Sequence, residues 1–452
     1  MAYSATEDNA IDTEAIEGLL ERGERRQAAD LLTSHHPADV AAFMLHIKQD
    51  DARGLFSFLT PKFSSEVIIE LSDEIRDSIL DEMESKRVSE IVDHLASDDA
   101  ADLLGNLSEE DANRILEHIP EEETRHLKSL LAFGEDTAGG IMQAEVASAT
   151  MDASVQEVVS MLRGMKDDQE DIHNIFVTDR NRRLKGVLPL RRLVLESPET
   201  PILNIMDTDY IAAHVDQDQE EIARLFKKYD LISLPVTDGA NKLVGRITVD
   251  DVVDVMEEEA SEDIFRMAGA GSEDILSMST FRNAKKRLPW LFASCVGGIV
   301  ALKIIVAYEH SLGSLAVLAS FIPVILGMGG NIGTQSTTIV VRGLAIGSVD
   351  VSALWKIVYK EIRIGFILGS TYGLLLALAT MVIYPENLSL SLVVGVSMFA
   401  SMMIATAVGT LIPIILFKSG VDPAVATGPF VTTSIDIIGI LILFNFAAFF
   451  LF

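Results

Sequence analysis

A chain of 452 residues is too long for one compact core, so two or more domains are expected. Its formal net charge of -31 is unevenly placed: residues 1–280 carry 61 acidic and 26 basic side chains, residues 281–452 six and ten. Acidity on that scale repels phosphate backbones and argues against nucleic acid as a partner, and the single cysteine, Cys295, leaves no intrachain disulfide to form. Cations are the natural counterpart of so dense a negative charge. Residues 1–30 are polar and acidic without an apolar core, so no cleavable signal peptide is expected.

Residues 1–132 form the first expected domain, and 14–132 read as short amphipathic helices. In "RVSEIVDHLASDDAADLLGNLSEEDANRILEHIPEEE" (87–123), Ile91, Leu95, Leu103, Leu104, Leu107, Ile115 and Ile119 recur at three- and four-residue steps. Ser97 and Ser108 precede acidic residues and are candidate helix caps. The acid-then-apolar rhythm returns in "HPADVAAFM" (36–44), which predicts short helices stacked into an all-α superhelix.

Residues 138–200 and 201–256 repeat one pattern. "IHNIFVTDRNRRLKGVLPLRRLVLE" (172–196) and "DLISLPVTDGANKLVGRITVDDVVDVM" (230–256) each run from a β-rich segment through a polar turn to a second strand and a helix. Each follows an amphipathic helix, at 154–165 and 217–228. The order strand, helix, strand, strand, helix, written twice, resembles a pair of α/β CBS domains, a regulatory module. Such a pair also offers a place for an adenine nucleotide, although no decisive ligand pattern is present.

A connecting helix is expected over 257–285, entered through "DDVVDVMEEEASEDI" (250–264). Helical spacing puts Asp251, Asp254, Glu258 and Glu262 on one face, with Glu259 and Asp263 beside them. Like charges four residues apart destabilise a helix, so this segment calls for counterions.

Residues 286–452 hold five apolar segments, at about 288–308, 314–341, 364–384, 391–417 and 424–452, each long enough to cross a bilayer. Lys285, Lys286 and Arg287 precede the first; Arg342, Lys356, Lys360 and Arg363 surround the second connection; Lys418 lies in the fourth. The first and third connections carry no basic residue. The positive-inside rule then places the N-terminal domains in the cytoplasm and Phe452 outside a cell membrane crossed several times.

Two membrane stretches carry polar chemistry. "PVILGMGGNIGTQSTT" (323–338) has Pro323 and four glycines, a poor recipe for a regular helix, followed by Asn331, Thr334, Gln335, Ser336, Thr337 and Thr338. Disturbed backbone at that depth is tolerated when buried in protein or lining a wet cavity. "TGPFVTTSIDIIG" (427–439) adds Pro429, expected to disturb the helix, with Thr432, Thr433 and Asp436. A carboxylate in hydrocarbon is costly and usually faces a water-filled path. Mg²⁺ takes oxygen ligands, dehydrates reluctantly and is held by one or two carboxylates plus waters. Five spans scarcely enclose a pore, so a two-fold homodimer that doubles Asp436 is the economical arrangement.

An acidic helical domain, a CBS pair, a connecting helix, five spans, "GGNIGTQ" and "TTSID" together resemble the MgtE family of magnesium channels across essentially the whole chain. The resemblance implies a homodimeric Mg²⁺ channel for uptake, closed by Mg²⁺ binding to its cytoplasmic domains. Co²⁺, Ni²⁺ and Mn²⁺ are the competing ions. Asp436 matches the family's pore aspartate, and Gly327, Gly330 and Asn331 its pore-lining loop; Thr334 and Thr432 are expected beside them. For sensing, cations are expected to bridge the 251–263 acids to Asp422, to Asp218, Glu220 and Asp230 in the second CBS repeat, and to Asp98 and Asp102 in the helical domain.

The rival classes are weaker. An enzyme is not expected, because the hydrophobic region lacks histidine apart from His310 and offers no aspartyl pair. A secondary active divalent-cation transporter would call for an inverted repeat and further membrane carboxylates. A scaffold leaves Asp436 unexplained.

Overall fold

The computed structural model describes residues 11–165, 172–269, 280–312, 316–345, 354–426 and 428–451. The chain divides into two units, Met1–Met256 and Glu257–Phe452. Residues 270–279 of the expected connecting helix lie outside the described residues.

The first unit begins with ten helices: α1 (Thr13–Glu21), α2 (Arg25–Leu32), α3 (Pro37–Met44), α4 (Gln49–Phe56), α5 (Pro61–Ile68), α6 (Asp73–Leu80), α7 (Ser85–Val92), α8 (Ser97–Gly105), α9 (Glu109–Leu116) and α10 (Glu121–Leu130). From α2 onward a helix starts every twelve residues. Leu32, Met44, Phe56, Ile68, Leu80, Val92, Leu104 and Leu116 recur at that interval and are all buried, as are the smaller Ala28, Val40, Ala52, Ser64, Val88 and Ala100. Helices this short are marginal alone, so packing has to hold them. Most stack on the next but one: α2 on α4, α3 on α5, α4 on α6, α5 on α7, α7 on α9 and α8 on α10. This is the expected superhelix, with a regularity that the looser reading of its acid-apolar rhythm did not capture. Ser108 caps α9 by accepting from the Asp111 amide at 3.2 Å. Ser97 is no cap: it occupies the first turn of α8, after Ala96, and its side chain is used elsewhere.

The repeat that follows has the expected order twice. β1 (Ser148–Thr150), α11 (Val155–Gly164), β2 (Asn174–Thr178), β3 (Leu184–Pro189) and α12 (Leu190–Leu195) form the first copy. β4 (Ala213–His214), α13 (Gln219–Tyr229), β5 (Ser233–Thr237), β6 (Leu243–Thr248) and α14 (Val249–Met267) form the second. In each sheet the first strand is parallel and the third antiparallel to the middle one, and register slips at the same place, Val177/Thr178 and Val236/Thr237. The copies meet at equivalent residues, with Asn174 Nδ2 donating to Ser233 Oγ at 2.9 Å. Ala101 and Leu130 of the superhelix enter the core of the second copy, beside Ile222, Leu234 and Ile247.

Among the described residues the second unit has five helices of membrane-crossing length: α15 (Thr280–Leu312), α16 (Ile322–Ala345), α17 (Leu354–Ile383), α18 (Leu388–Lys418) and α19 (Pro429–Leu451). α18 is central and packs on α16, α17 and α19. Three sequence expectations change here. α16 is one unbroken α-helix through all four glycines, with Pro323 in its first turn, where a missing amide hydrogen is harmless. Pro429 likewise begins α19 and does not disturb its interior. α17 starts at Leu354, ten residues before the apolar run, so Lys356, Lys360, Glu361 and Arg363 are helical and not part of a connection.

The glycines of α16 divide by face. A Cβ on Gly333 would lie 2.1 Å from Ile435 Cδ1, and one on Gly409 of α18 would lie 2.4 Å from the Gly333 carbonyl oxygen. Gly327 and Gly330 have nothing within 4 Å. Close helix crossings in a membrane need such small residues. Gly409→Val should therefore cost about 3 kcal/mol or more through overpacking. Gly330→Ala should leave the fold intact. Thermal melts followed by size-exclusion chromatography in detergent check both, and equal melting of the two variants would contradict the packing described.

Candidate functional site

Three carboxylates at the start of α8 and three at the start of α14 converge. α8 carries Asp98 and Asp99 in its first turn, where the helix dipole favours negative charge, and Asp102 one turn on. α14 carries Asp250, Asp251 and Asp254. Asp251 is held by its own helix start, accepting from the Thr248 amide at 3.1 Å and the Thr248 hydroxyl at 2.6 Å.

Asp98 is 5% exposed, and its Oδ1 has no hydrogen-bond partner. Burial, then the charges of Asp251 and Asp99, push its carboxyl well above the ordinary range. Burial, followed by Asp251, Asp102, Asp250 and Asp254, raises Asp99 to about 7. Burial and Glu135 raise Asp102 to about 6 against the opposing pull of Arg76. Asp251 reaches about 6, chiefly by burial. Desolvated like charges raise one another's pKa, and an orphaned carboxylate oxygen is a vacant ligand position for a hard cation.

The cluster borders a cavity of about 570 Å³ whose walls include Asp99, Asp250, Asp251 and Glu145, with Lys62, His94 and Arg246 also present. Ser97 ties its two sides together: the hydroxyl donates to Glu145 Oε2 at 2.8 Å and accepts from the Ala144 amide at 2.7 Å. Among the described residues, no three His, Cys, Asp or Glu side chains already stand in metal-ligating geometry.

Asp98, Asp102, Asp251 and Asp254 are thus brought together as the sequence reading expected. Asp99 and Asp250 belong with them and were missed. Asp218, Glu220 and Asp230 have local places instead: Asp218 caps α13 by accepting from the Glu220 amide at 2.9 Å, Glu220 pairs with Arg224 at 2.6 Å, and Asp230 ends α13 in a left-handed conformation. Glu258, Glu259, Glu262 and Asp263 continue along α14. In the second unit, Arg266 of α14 pairs with both Glu262 and Asp422. A guanidinium therefore supplies the positive charge that a bridging cation was expected to bring to Asp422.

On α16, Gly327, Asn331, Thr334 and Thr338 are exposed at helical spacing, and Gln335 beside them is exposed too. Ser336 and Thr337, expected in the same polar cluster, are buried and bonded to neighbouring helices. A polar stripe on a membrane helix has to meet water or protein, because lipid satisfies neither amide nor hydroxyl. α19 crosses α16 where Ile435 lies over Gly329 and Gly333, next to half-buried Asp436. Thr432, also half-buried, bonds back to the Gly428 carbonyl at 3.2 Å. The reading overlooked Glu361, which is 4% exposed inside α17.

The chain matches the family profile for divalent cation transporters over residues 322–446, the MgtE intracellular N domain over 35–136, and CBS domains over 138–199 and 202–258. The magnesium transporter MgtE of Enterococcus faecalis is 38% identical over 434 residues, covering 96% of this chain and 95% of the relative. The chain belongs to the MgtE family of magnesium transporters. The Bacillus subtilis member is 33% identical over 433 residues, with 96% of both chains covered. The crystal structure of the cytosolic domain of the Mg²⁺ channel MgtE in complex with ATP superposes with a TM-score of 0.51 at 34% identity, covering 54% of this chain and 99% of that one. The crystal structure of the soluble part of a magnesium transporter gives 0.50 at 28% identity, over 55% and 98%. The protein is accordingly a multi-pass membrane protein with an intracellular N-terminal domain.

The raised pKa values fix the sign of a pH effect. Groups whose folded pKa lies above the ordinary carboxyl value of 3.8 stabilise the docked arrangement below pH 3.8, and the contribution is lost as pH rises toward about 7. In divalent-free buffer, amide exchange in α8, corrected for intrinsic rates, should be slower at about pH 5.5 than at about pH 8. Equal protection at both would mean that the cluster is solvated and uncoupled.

Proposed function

We propose that the protein is a Mg²⁺-selective channel for magnesium uptake that closes when Mg²⁺ neutralises its acidic intracellular domains. The observation that carries the sensing half is the buried carboxylate of Asp98, one oxygen of which has no hydrogen-bond partner, among Asp99, Asp102 and Asp251. Ionised, these groups repel one another; a divalent ion offsets that repulsion only where α8 and α14 stay close, so it favours the closed arrangement. α14 runs in one helix from the CBS repeat into the membrane unit, which makes it the natural carrier of the signal. Asp254, Glu258, Glu259, Glu262 and Asp263 extend the sensor along it. The ATP-bound relative supports a nucleotide as a second intracellular ligand of the CBS pair.

For conduction, the stripe of Gly327, Asn331, Thr334 and Thr338, with Gly330, Thr432 and Asp436, lines the path of a hydrated ion. A homodimer that turns two such stripes toward each other hides them from lipid and doubles Asp436. Its intracellular domains are cytoplasmic and its C-terminus lies outside the cell membrane, as the basic residues around α16, α17 and α18 support.

A secondary transporter is the second reading, favoured by one observation: the buried membrane carboxylate of Glu361. Recording in a planar bilayer with Mg²⁺ as sole permeant cation separates the two. Unitary currents that reverse at the Mg²⁺ equilibrium potential support the channel; transport that needs a counter-ion gradient supports the exchanger.

Asp436→Ala should abolish Mg²⁺ flux in liposomes while the protein still folds, and Asp436→Asn should lower it by about tenfold or more through loss of charge. Wild-type flux in the alanine variant overturns the pathway. Neutralising Asp251, Asp254, Glu259 and Glu262 together to Ala should leave flux but blunt its inhibition by intracellular Mg²⁺. An unchanged inhibition curve would reduce the helix to a solvated linker.

A further inference from the structure

Glu361 lies outside both the polar stripe of α16 and the carboxylate cluster of α8 and α14. It lies on the face of α17 that carries Gly365, Gly369 and Gly373 at four-residue steps, and all four residues are buried. Those glycines seat α17 on α18 with no room for a side chain: a Cβ would come within 2.8 Å of Thr406 Oγ1 at Gly365, 3.0 Å of the Phe399 carbonyl oxygen at Gly369, and 2.7 Å of the Gly395 carbonyl oxygen at Gly373. α17 is therefore a fixed post, and Glu361 projects from its start. Its Oε2 accepts a hydrogen bond of 2.9 Å from the hydroxyl of Ser336, itself 2% exposed on α16. The surroundings are apolar, with Val340, Leu344, Leu354, Val358 and Ile414 packed together at the same three-helix junction.

Ser336 is nine residues beyond Gly327. At about 100° per residue it points directly away from the Gly327, Asn331, Thr334 and Thr338 stripe. The adjacent Thr337 donates to the Gly409 carbonyl of α18 at 2.8 Å. α16 is thus held at two successive residues, on the face opposite the stripe by α17 through a carboxylate and on its flank by α18 through a backbone carbonyl. Because the Ser336 hydroxyl donates, the bond asks only for an acceptor oxygen at residue 361.

We propose that Glu361 is a positioning residue of the transport pathway: through Ser336 it fixes the rotation of α16 about its axis and so keeps the polar stripe turned toward the ion. The proposal rests on the pathway reading given above. Without the bond, orientations of α16 that turn the stripe away become populated, and the apparent affinity for the ion falls by the fraction of competent molecules.

The test is Mg²⁺ flux per folded molecule in liposomes, as a function of Mg²⁺ concentration, for Ser336→Ala, Ser336→Thr, Glu361→Gln, Glu361→Leu and the Ser336→Ala/Glu361→Leu pair. Ser336→Ala and Glu361→Leu should raise the half-saturating Mg²⁺ concentration by on the order of tenfold. The pair should be no worse than the poorer single variant. Ser336→Thr keeps the hydroxyl and Glu361→Gln keeps an acceptor, so both should recover most of the loss. A packing role alone would lower the melting temperature and yield but leave half-saturation per folded molecule unchanged, and that result overturns the proposal. So do additive losses in the pair, or a Glu361→Gln variant as impaired as Glu361→Leu. Should Glu361→Leu fail to fold, Ser336→Ala against Ser336→Thr still decides, because both are small changes at one site. Asp436→Ala is the control: if it keeps its flux, the pathway reading fails; if it loses flux while Ser336→Ala is wild type, positioning alone fails.

Discussion

Repulsion among desolvated carboxylates at the start of α8 and of α14 is the interaction on which the intracellular half depends. Two unit charges 4 Å apart interact by about 4 kcal/mol at the effective dielectric of a protein surface, a large fraction of a domain's stability. Here several carboxylates act on one another, and Asp98 lacks a hydrogen bond for one of its oxygens. The twelve-residue superhelix delivers its acids to the second CBS copy, where Ala101 and Leu130 join the apolar core. Apolar docking and charge repulsion therefore act in opposition at one interface. Such an opposition is switchable, since a modest change in the charge term decides the balance. A divalent ion that takes several oxygens at once changes that term far more than monovalent salt, which only screens.

A different constraint organises the membrane half. With no water in hydrocarbon, every polar group has to be spent on packing or on a wet path. α16 divides its polar residues accordingly: Ser336 and Thr337 bond to α17 and α18, while Asn331, Thr334 and Thr338 stay exposed. Its glycines divide the same way, Gly329 and Gly333 meeting Ile435 and Gly327 and Gly330 left open. One helix both seals the bundle and offers a polar face, and it does so without breaking.

Much of this was legible in the residues. The order of parts, the doubled strand-helix pattern and the five apolar spans follow from periodicity, repeats and charge, whereas the bridging of Asp98 and Asp102 to Asp251 was an expectation drawn alongside the family resemblance. What escaped was position within regular helices. Proline and glycine in "PVILGMGGNIG" lower helix propensity, but a membrane strongly favours satisfied backbone hydrogen bonds, so α16 stays helical. Pro429 was read as a disturbance because its place at the first position of α19 is set by where the preceding loop ends. Ser97 looked like a cap from its neighbours and is instead a tie to Ala144 and Glu145, more than forty residues away in sequence. Asp422 looked like a cation ligand and is met by Arg266, 156 residues distant. Glu361 was overlooked because the apolar run starts later than the helix; its spacing with Gly365, Gly369 and Gly373 was the available signal.

The most direct test of the central claim is proton release on Mg²⁺ binding, measured by titration calorimetry of the full-length protein in buffers of differing ionisation enthalpy. Carboxylates raised to about 6 and about 7 are partly protonated near neutrality and have to ionise to take the metal. Mg²⁺ should therefore release at least about one proton per protomer near pH 6.5, and none above about pH 8.5. Asp99→Asn with Asp251→Asn should remove most of that release. Mg²⁺ binding that releases no protons at any pH, or releases them equally in the double variant, would contradict a switch built on these carboxylates.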